Sequence, residues 1–374
     1  MRPLRIFYAA GSRPNAALEA SAVWDKNLLM SLRDLGHDVV RFDYDLWPHY
    51  AHANIALRQD RAFVRRHQAE LETALLAQFR AAHASRPVDV FFSYFYSAFV
   101  RPQVIRSIGE AGTVTVNWYC NASYQFNLVR EIAPAYSYCL VPERFRLDDY
   151  REAGAVPILC QEAANPTVYK PYELPYERDV VFIGAAYGDR VSHVRALVDA
   201  GVDIRAFGPG WMDLADVQPM TRRVRQGASR VKRALLRRSA RLKPLPTHCL
   251  GAPLDDDEMV RMYSRSRVAL GFANVGETHR TSAPITQVRL RDFEAPMSGA
   301  FYMPQWSSEI LEYFADGKEV VCFRDSRDLV AKVGYYLEHA EERESIRTAG
   351  LRRALRDHTW QKRLSQAFSE MGLE

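Results

Sequence analysis

The sequence predicts an α/β fold built from two Rossmann-like, doubly wound domains. Its 374 residues are too many for one ordinary hydrophobic core and suit two domains of common size. In both halves short apolar runs alternate with amphipathic stretches, which is the pattern of βαβ units around a parallel sheet. Between the halves, residues 165–175 include three prolines, which forbid a continuous helix and mark the domain junction.

The first half opens with an apolar run at residues 6–10, which predicts a buried strand, and Gly11 begins the turn that follows. Residues 16–35 have the apolar spacing of a helix that ends at Gly36. Further strands are predicted at residues 39–44, 88–92, 114–118 and 139–141, and a long helix at residues 62–82. Because doubly wound sheets bind ligands beyond the carboxyl ends of their strands, Gly11 is a candidate binding residue.

The second half repeats this alternation after the proline-rich segment. Strands are predicted at residues 179–183, 202–207, 268–272, 300–303 and 320–323. Helices are predicted at residues 191–200, 258–265, 308–314, 326–340 and 342–373. The predicted units are an N-terminal domain of residues 1–165, a C-terminal domain of residues 166–350, and a final helical segment of residues 351–374.

Composition indicates a globular protein of the cytoplasm. Hydrophobic residues make up 48% of the chain and charged residues 25%, which excludes a disordered protein. The five cysteines are scattered without a CxxC pair, so neither a disulfide framework nor a zinc site is indicated. The N-terminal apolar run is too short for a signal peptide, and no window reaches the roughly 18 apolar residues that a membrane-spanning helix needs.

The most informative motif is the stretch RDFEAPMSGA at residues 291–300. It places Glu294 three residues after Arg291 and just before a turn of small residues. In an enzyme that binds a nucleotide sugar, such a carboxylate accepts hydrogen bonds from ribose hydroxyls, while an arginine and nearby backbone N–H groups suit a diphosphate. The nearby N–H groups belong to Ser298 and Gly299. The alternative is a helix that ends in a glycine cap, with Glu294 in solvent.

The sequence from Arg291 onward resembles the CgeB-like, or spore-maturation-protein-like, glycosyltransferases. The shared positions occur in family order and are Arg291, Phe293, Glu294, Gly299, Glu309, Ile310, Phe314, Gly317, Glu319, Phe323, Asp325, Tyr335, Tyr336, Leu337, Glu342, Arg343, Ile346, Gly350, His358, Thr359, Trp360 and Arg363. Upstream, residues 165–171, 181–190 and 207–211 resemble the start of the same family's nucleotide-binding domain. The resemblance implies the GT-B architecture, in which two domains face each other across a cleft and the C-terminal helix packs back on the first domain.

The resemblance also implies an activity, the transfer of a sugar from a nucleoside diphosphate donor to a glycan, a lipid-linked saccharide or another cell-envelope acceptor. The loop from Gly184 to Arg190 joins a strand to a helix, where N–H groups and the helix dipole favour an anion. By resemblance, Arg190 and Arg291 clamp the departing diphosphate. A solvated loop arginine explains Arg190 equally well without the resemblance, and Arg289 is expected to be solvated or to pack. No cofactor or metal is expected, since the acidic run at residues 255–257 indicates a helix N-cap.

The sugar-recognition residues are less well defined. Eight positions before Glu294, where the wider retaining family often has a second glutamate, this chain has Thr286. The nearest upstream acid is Glu277, which shares a polar loop with Asn274, and both are candidate contacts to the donor sugar. Retention or inversion stays open, with a retaining hexosyltransferase favoured; inversion requires a general base from the first domain. Candidates for that base are Asp45, His49 and His52.

A strongly basic segment, residues 221–243, contains ten arginines and lysines and no acidic residue. Its apolar residues recur at helical spacing, so it predicts a basic amphipathic helix, which is an insertion relative to the family. Such a helix suits the anionic inner surface of a membrane. The alternatives are a solvated charged helix and a mobile loop. Nucleic-acid binding is not expected, because the whole chain has a net charge of only +5.

Aromatic side chains are concentrated in the first half. They are Phe91, Phe92, Tyr94, Phe95, Tyr96, Phe99, Trp118, Tyr119, Tyr124 and Phe126. Together with Asn117, Asn121 and Gln125 they suit a saccharide-acceptor cleft, although core packing explains most of the aromatic residues equally well.

Two other functions are compatible with the sequence. One is a nucleotide-sugar epimerase or hydrolase of the same fold, and the other is a non-catalytic basic adaptor at a membrane surface.

Overall fold

The computed structural model describes residues 2–10, 23–216, 244–275 and 285–373. Four predictions fall outside these ranges, namely the turn with Gly11, the first part of the helix at residues 16–35, the basic segment 221–243, and Glu277. Within the described ranges the strands form two parallel sheets, one in each half of the chain. The predicted α/β fold with two doubly wound domains is therefore confirmed.

The first sheet contains six described strands, which are all parallel. They are β1 (Arg5–Ala9), β2 (Asp38–Arg41), β3 (Val90–Ser93), β4 (Val114–Trp118), β5 (Tyr138–Val141) and β6 (Pro157–Leu159). Their order is β2-β1-β3-β4-β5-β6, with Ile6 beside Val39 on one side and Val90 on the other. Most strand residues are buried, as expected where helices cover both faces of a parallel sheet.

Helices connect these strands. The described ones are a π-helical turn (Asp25–Leu29) that continues into α1 (Met30–Asp34), then α2 (Trp47–Ala51), α3 (Arg58–Ser85), α4 (Pro102–Glu110), α5 (Ala122–Gln125) and α6 (Leu147–Glu152). The sequence did not predict α2, α4, α5, α6 or β6. Helix α4 begins at Pro102, whose fixed φ suits the first helical turn, and β6 is too short to show a period.

The second sheet has five described strands, again parallel. They are β7 (Arg178–Ile183), β8 (Ile204–Phe207), β9 (Leu250–Gly251), β10 (Ser266–Gly271) and β11 (Tyr302–Pro304), in the order β11-β10-β7-β8-β9. The chain winds outward from β7 in one direction through β8 and then in the other through β10. The carboxyl ends of β7 and β10 therefore flank a topological switch point, where such sheets bind ligands.

One predicted strand, at residues 320–323, is wrong. That segment runs past the edge of the second sheet and forms only isolated bridges, between Gln305 and Phe323 and between Asp316 and Val320. The turn at Gly317, which has a φ of +74°, is closed by the bridge between Asp316 and Val320, and the segment that follows bonds to β11 through the N–H groups of Val321 and Phe323 without forming a regular strand. The short strand β9 was not predicted.

The helices of the second half pack on both faces of its sheet. They are α7 (Arg190–Asp199), α8 (Asp256–Ser264), α9 (Leu290–Met297), α10 (Ile310–Tyr313), α11 (Ser326–Glu338), α12 (Ala340–Asp357) and α13 (Trp360–Glu370). Asp255 caps α8 by accepting a hydrogen bond of 2.8 Å from the Glu258 N–H, so the acidic run is a helix N-cap as predicted. Of the helices in the described part of the chain, none has the length and apolar character that crossing a bilayer requires.

The C-terminal helix crosses back to the first sheet. The sequence predicted one helix over residues 342–373, but α12 ends at Asp357 and α13 starts at Trp360. Trp360 packs edge-on against Trp118 of β4, with ring centroids 5.2 Å apart, and Phe368 contacts His37. Through α13 the core of the first sheet therefore includes residues from the end of the chain.

The proline-rich segment lies between the two sheets and contacts both. The side-chain amide of Asn165 donates a hydrogen bond of 2.8 Å to the Lys26 carbonyl, and its backbone N–H donates to Asn27 Oδ1 at 3.2 Å. Lys26 in turn forms an ion pair of 3.1 Å with Asp256 of α8. These bonds fix the junction, so the carboxyl ends of both sheets face each other.

Candidate functional site

The switch point of the second sheet is built around Gly184, the residue that follows β7. A Cβ atom at Gly184 would lie 2.8 Å from Arg291 Nη2 and 2.9 Å from Phe182 Cζ, closer than side chains pack. Its carbonyl accepts a hydrogen bond of 2.6 Å from Trp211 Nε1. Glycine at this position thus allows the Arg291 side chain to lie across the carboxyl end of the central strand.

Three arginines converge beside this strand end. The guanidinium carbons of Arg190 and Arg291 lie 5.4 and 5.3 Å from the centre of the Phe182 ring, and that of Arg190 also lies 3.8 Å from the centre of the Tyr187 ring. The charge of Arg289, at the start of α9, acts on Arg190 as well. The sequence predicted Arg190 and Arg291 as a pair, and the structure brings them together. Arg289, expected to be solvated or to pack, joins them.

Within the arginine cluster (Arg190, Arg289 and Arg291) the surroundings disfavour the charge of Arg190. Burial acts against the charge of Arg291 too, but nearby tyrosines and the carboxylates of Glu294 and Asp292 raise its pKa. Arg190 is only 2% exposed. Burial lowers the pKa of Arg190 to about 9, and the positive charges of Arg289 and Arg291 act in the same direction, against the effects of Tyr187 and Asp189. Among the described residues, no carboxylate forms an ion pair with any of the three.

Several N–H groups of the arginine cluster also lack a hydrogen-bond acceptor. These are Nε of Arg190, Nε and Nη2 of Arg289, and Nε of Arg291, all of which are buried. An unpaired buried donor is strongly unfavourable, and a buried charge without a partner more so. Such a cluster is stabilised when an anion with several oxygens binds, and phosphate groups match the geometry of guanidinium donors.

A network of polar side chains adjoins the arginine cluster. Asp189 Oδ2 accepts hydrogen bonds from Gln305 Nε2 at 3.1 Å and from Asn274 Nδ2 at 3.5 Å, and it lies 3.5 Å from His193 Nε2. Burial alone would raise the pKa of Asp189, but the bonds from His193 and Gln305 lower it below its ordinary value. Oδ1 of Asp189 and Oδ1 of Asn274 are buried and have no donor.

The predicted residue Asn274 therefore lies next to the arginine cluster. Hydroxyl groups of a ligand would donate hydrogen bonds to the two oxygens. The sequence did not identify Asp189, His193 or Gln305. The positions of two of them in the sequence could have indicated a site, since Asp189 directly precedes Arg190 and Gln305 directly follows the last strand of the sheet.

Glu294 lies at the junction of the two domains and is only 5% exposed. Burial raises the pKa of Glu294 to about 7, while interactions with Tyr169 of the linker, Arg291 and Asn27 of the first domain oppose the rise. Asn27 Nδ2 donates a hydrogen bond of 3.3 Å to the Tyr169 hydroxyl. The alternative of a solvated Glu294 is therefore wrong, although Gly299 does follow the helix with a φ of +77°.

Gly299 packs against the linker and Ser298 contacts α8. A Cβ atom at Gly299 would lie 2.7 Å from Pro171 Cβ, and the Gly299 carbonyl accepts a hydrogen bond of 3.2 Å from Arg347 Nη1. The Ser298 carbonyl accepts a hydrogen bond of 3.3 Å from Ser264 Oγ of α8. None of these contacts involves the Arg190 side chain. The contact of Ser298 and Gly299 with phosphates stays a prediction.

Two buried acids of the first domain lie opposite the arginine cluster. Glu143 follows β5, and its Oε1 accepts hydrogen bonds from Gln287 Nε2 at 3.0 Å and from the Ser123 N–H at 3.3 Å. Glu162 follows β6, and none of the described residues donates a hydrogen bond to its carboxyl group. Burial raises the pKa of Glu143 to about 8. Burial also raises the pKa of Glu162 well above its ordinary value, and the charge of Arg289 opposes that second shift. Neither acid was predicted from the sequence, although each comes shortly after a strand end.

The three candidate general bases are Asp45, His49 and His52. All three contact other residues of the first domain. His49 is buried between Tyr44 and Phe99, and burial lowers its pKa to about 4. Asp45 Oδ1 accepts a hydrogen bond of 3.1 Å from the Trp47 N–H just before α2, and His52 lies 3.2 Å from Asp60.

The aromatic cluster of the first domain is divided between core and cleft. Phe91, Phe92 and Phe95 belong to the buried core, as the packing alternative predicted. Tyr124 is only half-buried and lies close enough to Arg289 for that charge to lower its pKa, against the larger opposite effect of burial.

Comparison with protein families gives a match to the C-terminal half of the chain. Residues 190–369, which include the arginine cluster and Glu294, match a family described as glycosyl transferase-like. Among curated proteins, no sequence matches this chain.

Solved structures share the fold over nearly the whole chain. Sucrose-phosphate synthase from Thermosynechococcus elongatus is 14% identical over 99% of both chains, with a TM-score of 0.58. Anabaena HepE, in complex with UDP and glucose, is 12% identical over 98% of both chains, with a TM-score of 0.55. A glycosyltransferase from Rickettsia africae is 10% identical over 99% of this chain and 98% of its own, with a TM-score of 0.54. The fold is the GT-B architecture of glycosyltransferases, two parallel sheets that face each other.

Proposed function

We propose that this protein is a glycosyltransferase of the CgeB-like type, which moves a hexose from a nucleoside diphosphate donor to a glycan, a lipid-linked saccharide or another cell-envelope acceptor. The observation that carries this proposal is the arginine cluster at the switch point of a GT-B fold, in which Arg190 is buried, Arg289 and Arg291 are half-buried, and several buried N–H groups have no acceptor among the described residues. A diphosphate supplies the missing negative charge. The UDP and glucose bound by Anabaena HepE support a uridine nucleotide as the first donor to test.

Glu294 holds the ribose in this proposal. It follows Arg291 by three residues on α9, so both side chains lie on one face of the helix, and a nucleotide can contact the arginine through its phosphates and the glutamate through its sugar. The two oxygens without donors, Asp189 Oδ1 and Asn274 Oδ1, accept hydrogen bonds from the transferred hexose. Gly184 lets Arg291 reach the phosphates. Gly11 and Glu277 stay candidate contacts from their loops.

In the reaction, the bond between the anomeric carbon and the phosphate oxygen breaks while an acceptor hydroxyl forms the new glycosidic bond and loses its proton. Negative charge develops on the departing diphosphate. Fixed cations in a site that excludes water stabilise that charge most strongly at the transition state. Arg190 and Arg291 carry this role, with Arg289 beside them, and the transfer proceeds without a metal or another cofactor.

We favour retention of anomeric configuration, because Glu294 resembles the ribose-binding glutamate of the wider retaining family. One observation favours inversion, namely the carboxyl group of Glu162, which faces the arginine cluster with a raised pKa and no hydrogen-bond donor among the described residues. A carboxylate with these properties suits a general base. The configuration of the first-formed product, read by proton NMR, decides between the two.

The cellular context follows from the same proposal. The enzyme works in the cytoplasm, and the basic segment 221–243 holds it at the inner face of the membrane, close to a lipid-linked acceptor. The acceptor domain comprises residues 1–165 and the donor domain residues 166–350, and residues 351–374 return to the first domain. Nucleic acid is not a partner.

Two experiments test this function. A thermal-shift panel of nucleoside diphosphates should show stabilisation of the wild type by at least one member, because a ligand that binds the native state raises its stability. Incubation with UDP-hexoses, with and without saccharide acceptors, should then release UDP faster when the acceptor is present. An epimerase or hydrolase consumes the donor at the same rate without an acceptor. A basic adaptor binds anionic vesicles and shows no response to any nucleotide.

A further inference from the structure

A second cavity lies outside the cleft, at the free edge of the first sheet beside β6. It is an open groove with a volume of about 850 Å³, bordered by the strand edge, by α13 and by α10 of the second domain. We call it the lateral groove. Its principal lining residues are Arg144, Gln161, Tyr313, Arg363, Gln366 and Glu370. Ligand sites typically measure about 300–1,000 Å³, so this groove has room for more than one sugar ring.

The lateral groove lies beside the two buried acids of the first domain. Arg144 is the chain neighbour of Glu143, and Gln161 is the chain neighbour of Glu162. Both acids face the second domain, while Arg144 and Gln161 line the groove. The groove is therefore one residue along the chain from each acid, just beyond the carboxyl ends of β5 and β6.

The groove has a rigid polar wall. Arg363 Nη1 donates a hydrogen bond of 3.2 Å to the Asp357 carbonyl, and Nη2 donates one of 3.0 Å to His358 Nδ1. His358 Nε2 donates to the Tyr313 carbonyl at 2.8 Å, which fixes the neutral tautomer of the ring. The guanidinium is thus held in place 5.8 Å from the centre of the Tyr313 ring. Its Nε is buried and has no acceptor.

The chemistry of the lining identifies the class of ligand. The two arginines of the groove are matched by two carboxylates, Glu312 and Glu370, so a polyanion gains no net attraction. Apart from Leu159 and Tyr313 the lining side chains are polar, which does not suit a lipid tail. Planar amide, carboxylate and guanidinium groups around one aromatic ring suit the hydroxyls and ring faces of a saccharide.

We propose that the lateral groove binds the saccharide units of the acceptor that do not react, so that the acceptor of this enzyme is an oligosaccharide and not a single sugar. This inference rests on the proposed glycosyltransferase function. The groove spans both domains, since Arg144 of the first pairs with Glu312 of the second at 3.3 Å. An acceptor bound there contacts both domains at the edge of the closed cleft.

The test uses the full-length protein saturated with UDP and a panel of maltose, maltotriose, cellotriose and chitotriose. Binding is measured by saturation-transfer NMR and calorimetry on the wild type, on Gln366→Trp and on Arg352→Trp. Gln366 is an exposed residue of α13 in the groove, so an indole ring there fills the cavity without removing a core contact. Arg352 is an exposed residue of α12 that does not line the groove, and it controls for an added surface aromatic ring.

We expect at least one trisaccharide to bind the wild type and Arg352→Trp, and to bind Gln366→Trp about tenfold or more weakly. UDP affinity should be equal in all three proteins. If UDP binds but no oligosaccharide does, or if Gln366→Trp binds the trisaccharide as well as the wild type, the groove is not an acceptor subsite. If UDP itself fails to bind, the proposed function fails first, and the two failures are thereby distinguished.

Discussion

Arg190 and Arg291 place their guanidinium carbons at nearly equal distances, 5.4 and 5.3 Å, from the centre of the same Phe182 ring. One arginine begins α7 and the other lies in the first turn of α9, so two separate elements bring like charges together at one strand end. Because Arg190 is buried beside two other cations, an anion that binds there stabilises its charge. Most of the functional conclusions depend on this relationship.

The first prediction concerns the free protein. Replacing Arg190 by methionine keeps most of the side-chain volume and removes a buried cation that Arg289 and Arg291 disfavour. We expect the thermal midpoint of the ligand-free variant to equal that of the wild type or to exceed it by about 1–3 °C. Calorimetry in buffer without phosphate measures this. Arg327→Met, at an exposed arginine of α11, should leave the midpoint unchanged. A clear fall for Arg190→Met alone would mean that Arg190 has a mainly structural role.

The second prediction concerns Gly184. In Gly184→Ala the new methyl group would lie 2.8 Å from Arg291 Nη2 and 2.9 Å from Phe182 Cζ, so the Arg291 side chain must move. We expect the affinity for UDP to fall at least about tenfold. Gly334→Ala is the matched control, because no heavy atom lies within 4 Å of the added methyl group and alanine favours the helix. Equal UDP affinity in the two variants would show that the position of Arg291 is unimportant for binding.

The third prediction concerns ribose recognition by Glu294. Glu294→Gln keeps the size of the side chain and replaces a carboxylate that can accept from both ribose hydroxyls with an amide that has one neutral acceptor oxygen. The wild type should bind UDP about tenfold more tightly than 2′-deoxy-UDP, and the variant should lose that preference. Titration calorimetry gives both ratios. Glu338→Gln, at an exposed glutamate of α11, should keep the wild-type ratio. A wild type that binds both nucleotides equally would rule out this role.

The fourth prediction concerns the pH dependence of stability. Burial raises the pKa of Glu143 to about 8 in the folded protein, above its ordinary value near 4.5. Between these two values the folded state holds a proton that the unfolded state has lost, so this residue's contribution to stability falls as the pH rises from about 4.5 to 8.

Glu143→Gln abolishes that titration and keeps an acceptor for Gln287. The unfolding free energy of the variant relative to the wild type should therefore increase with pH across this window, by an amount on the order of a few kcal/mol. Chemical denaturation at several pH values measures the difference. A difference that is constant from pH 4.5 to 8 would show that the carboxyl group titrates normally.

Much of the fold follows from the sequence because parallel strands buried on both faces are continuous apolar runs. The run at residues 114–118 coincides with β4, and the end of the run at residues 179–183 coincides with the end of β7. Strands β6 and β9 have only three and two residues, too few to show a period. The apolar run at residues 320–323 looks like a strand, yet its neighbours in space allow only single bridges.

The site could be predicted where one local motif defines it. Arg190 and Arg291 occupy a strand-to-helix loop and a helix start, positions with a known affinity for anions. Arg289 was missed because its environment depends on how α9 meets the second sheet. Glu143 and Glu162 were missed for a related reason: their burial comes from the other domain, through contacts such as that between Gln287 and Glu143, which no local pattern encodes.

The central claim is that the arginine cluster binds the diphosphate of a nucleotide, and calorimetric titration of UDP and of uridine tests it most directly. The wild type should bind UDP and should bind uridine far more weakly, while Arg190→Ala and Arg291→Ala should each lose at least about tenfold in UDP affinity and Arg327→Ala should lose none. UDP binding of equal strength in the wild type, Arg190→Ala and Arg291→Ala would contradict the claim.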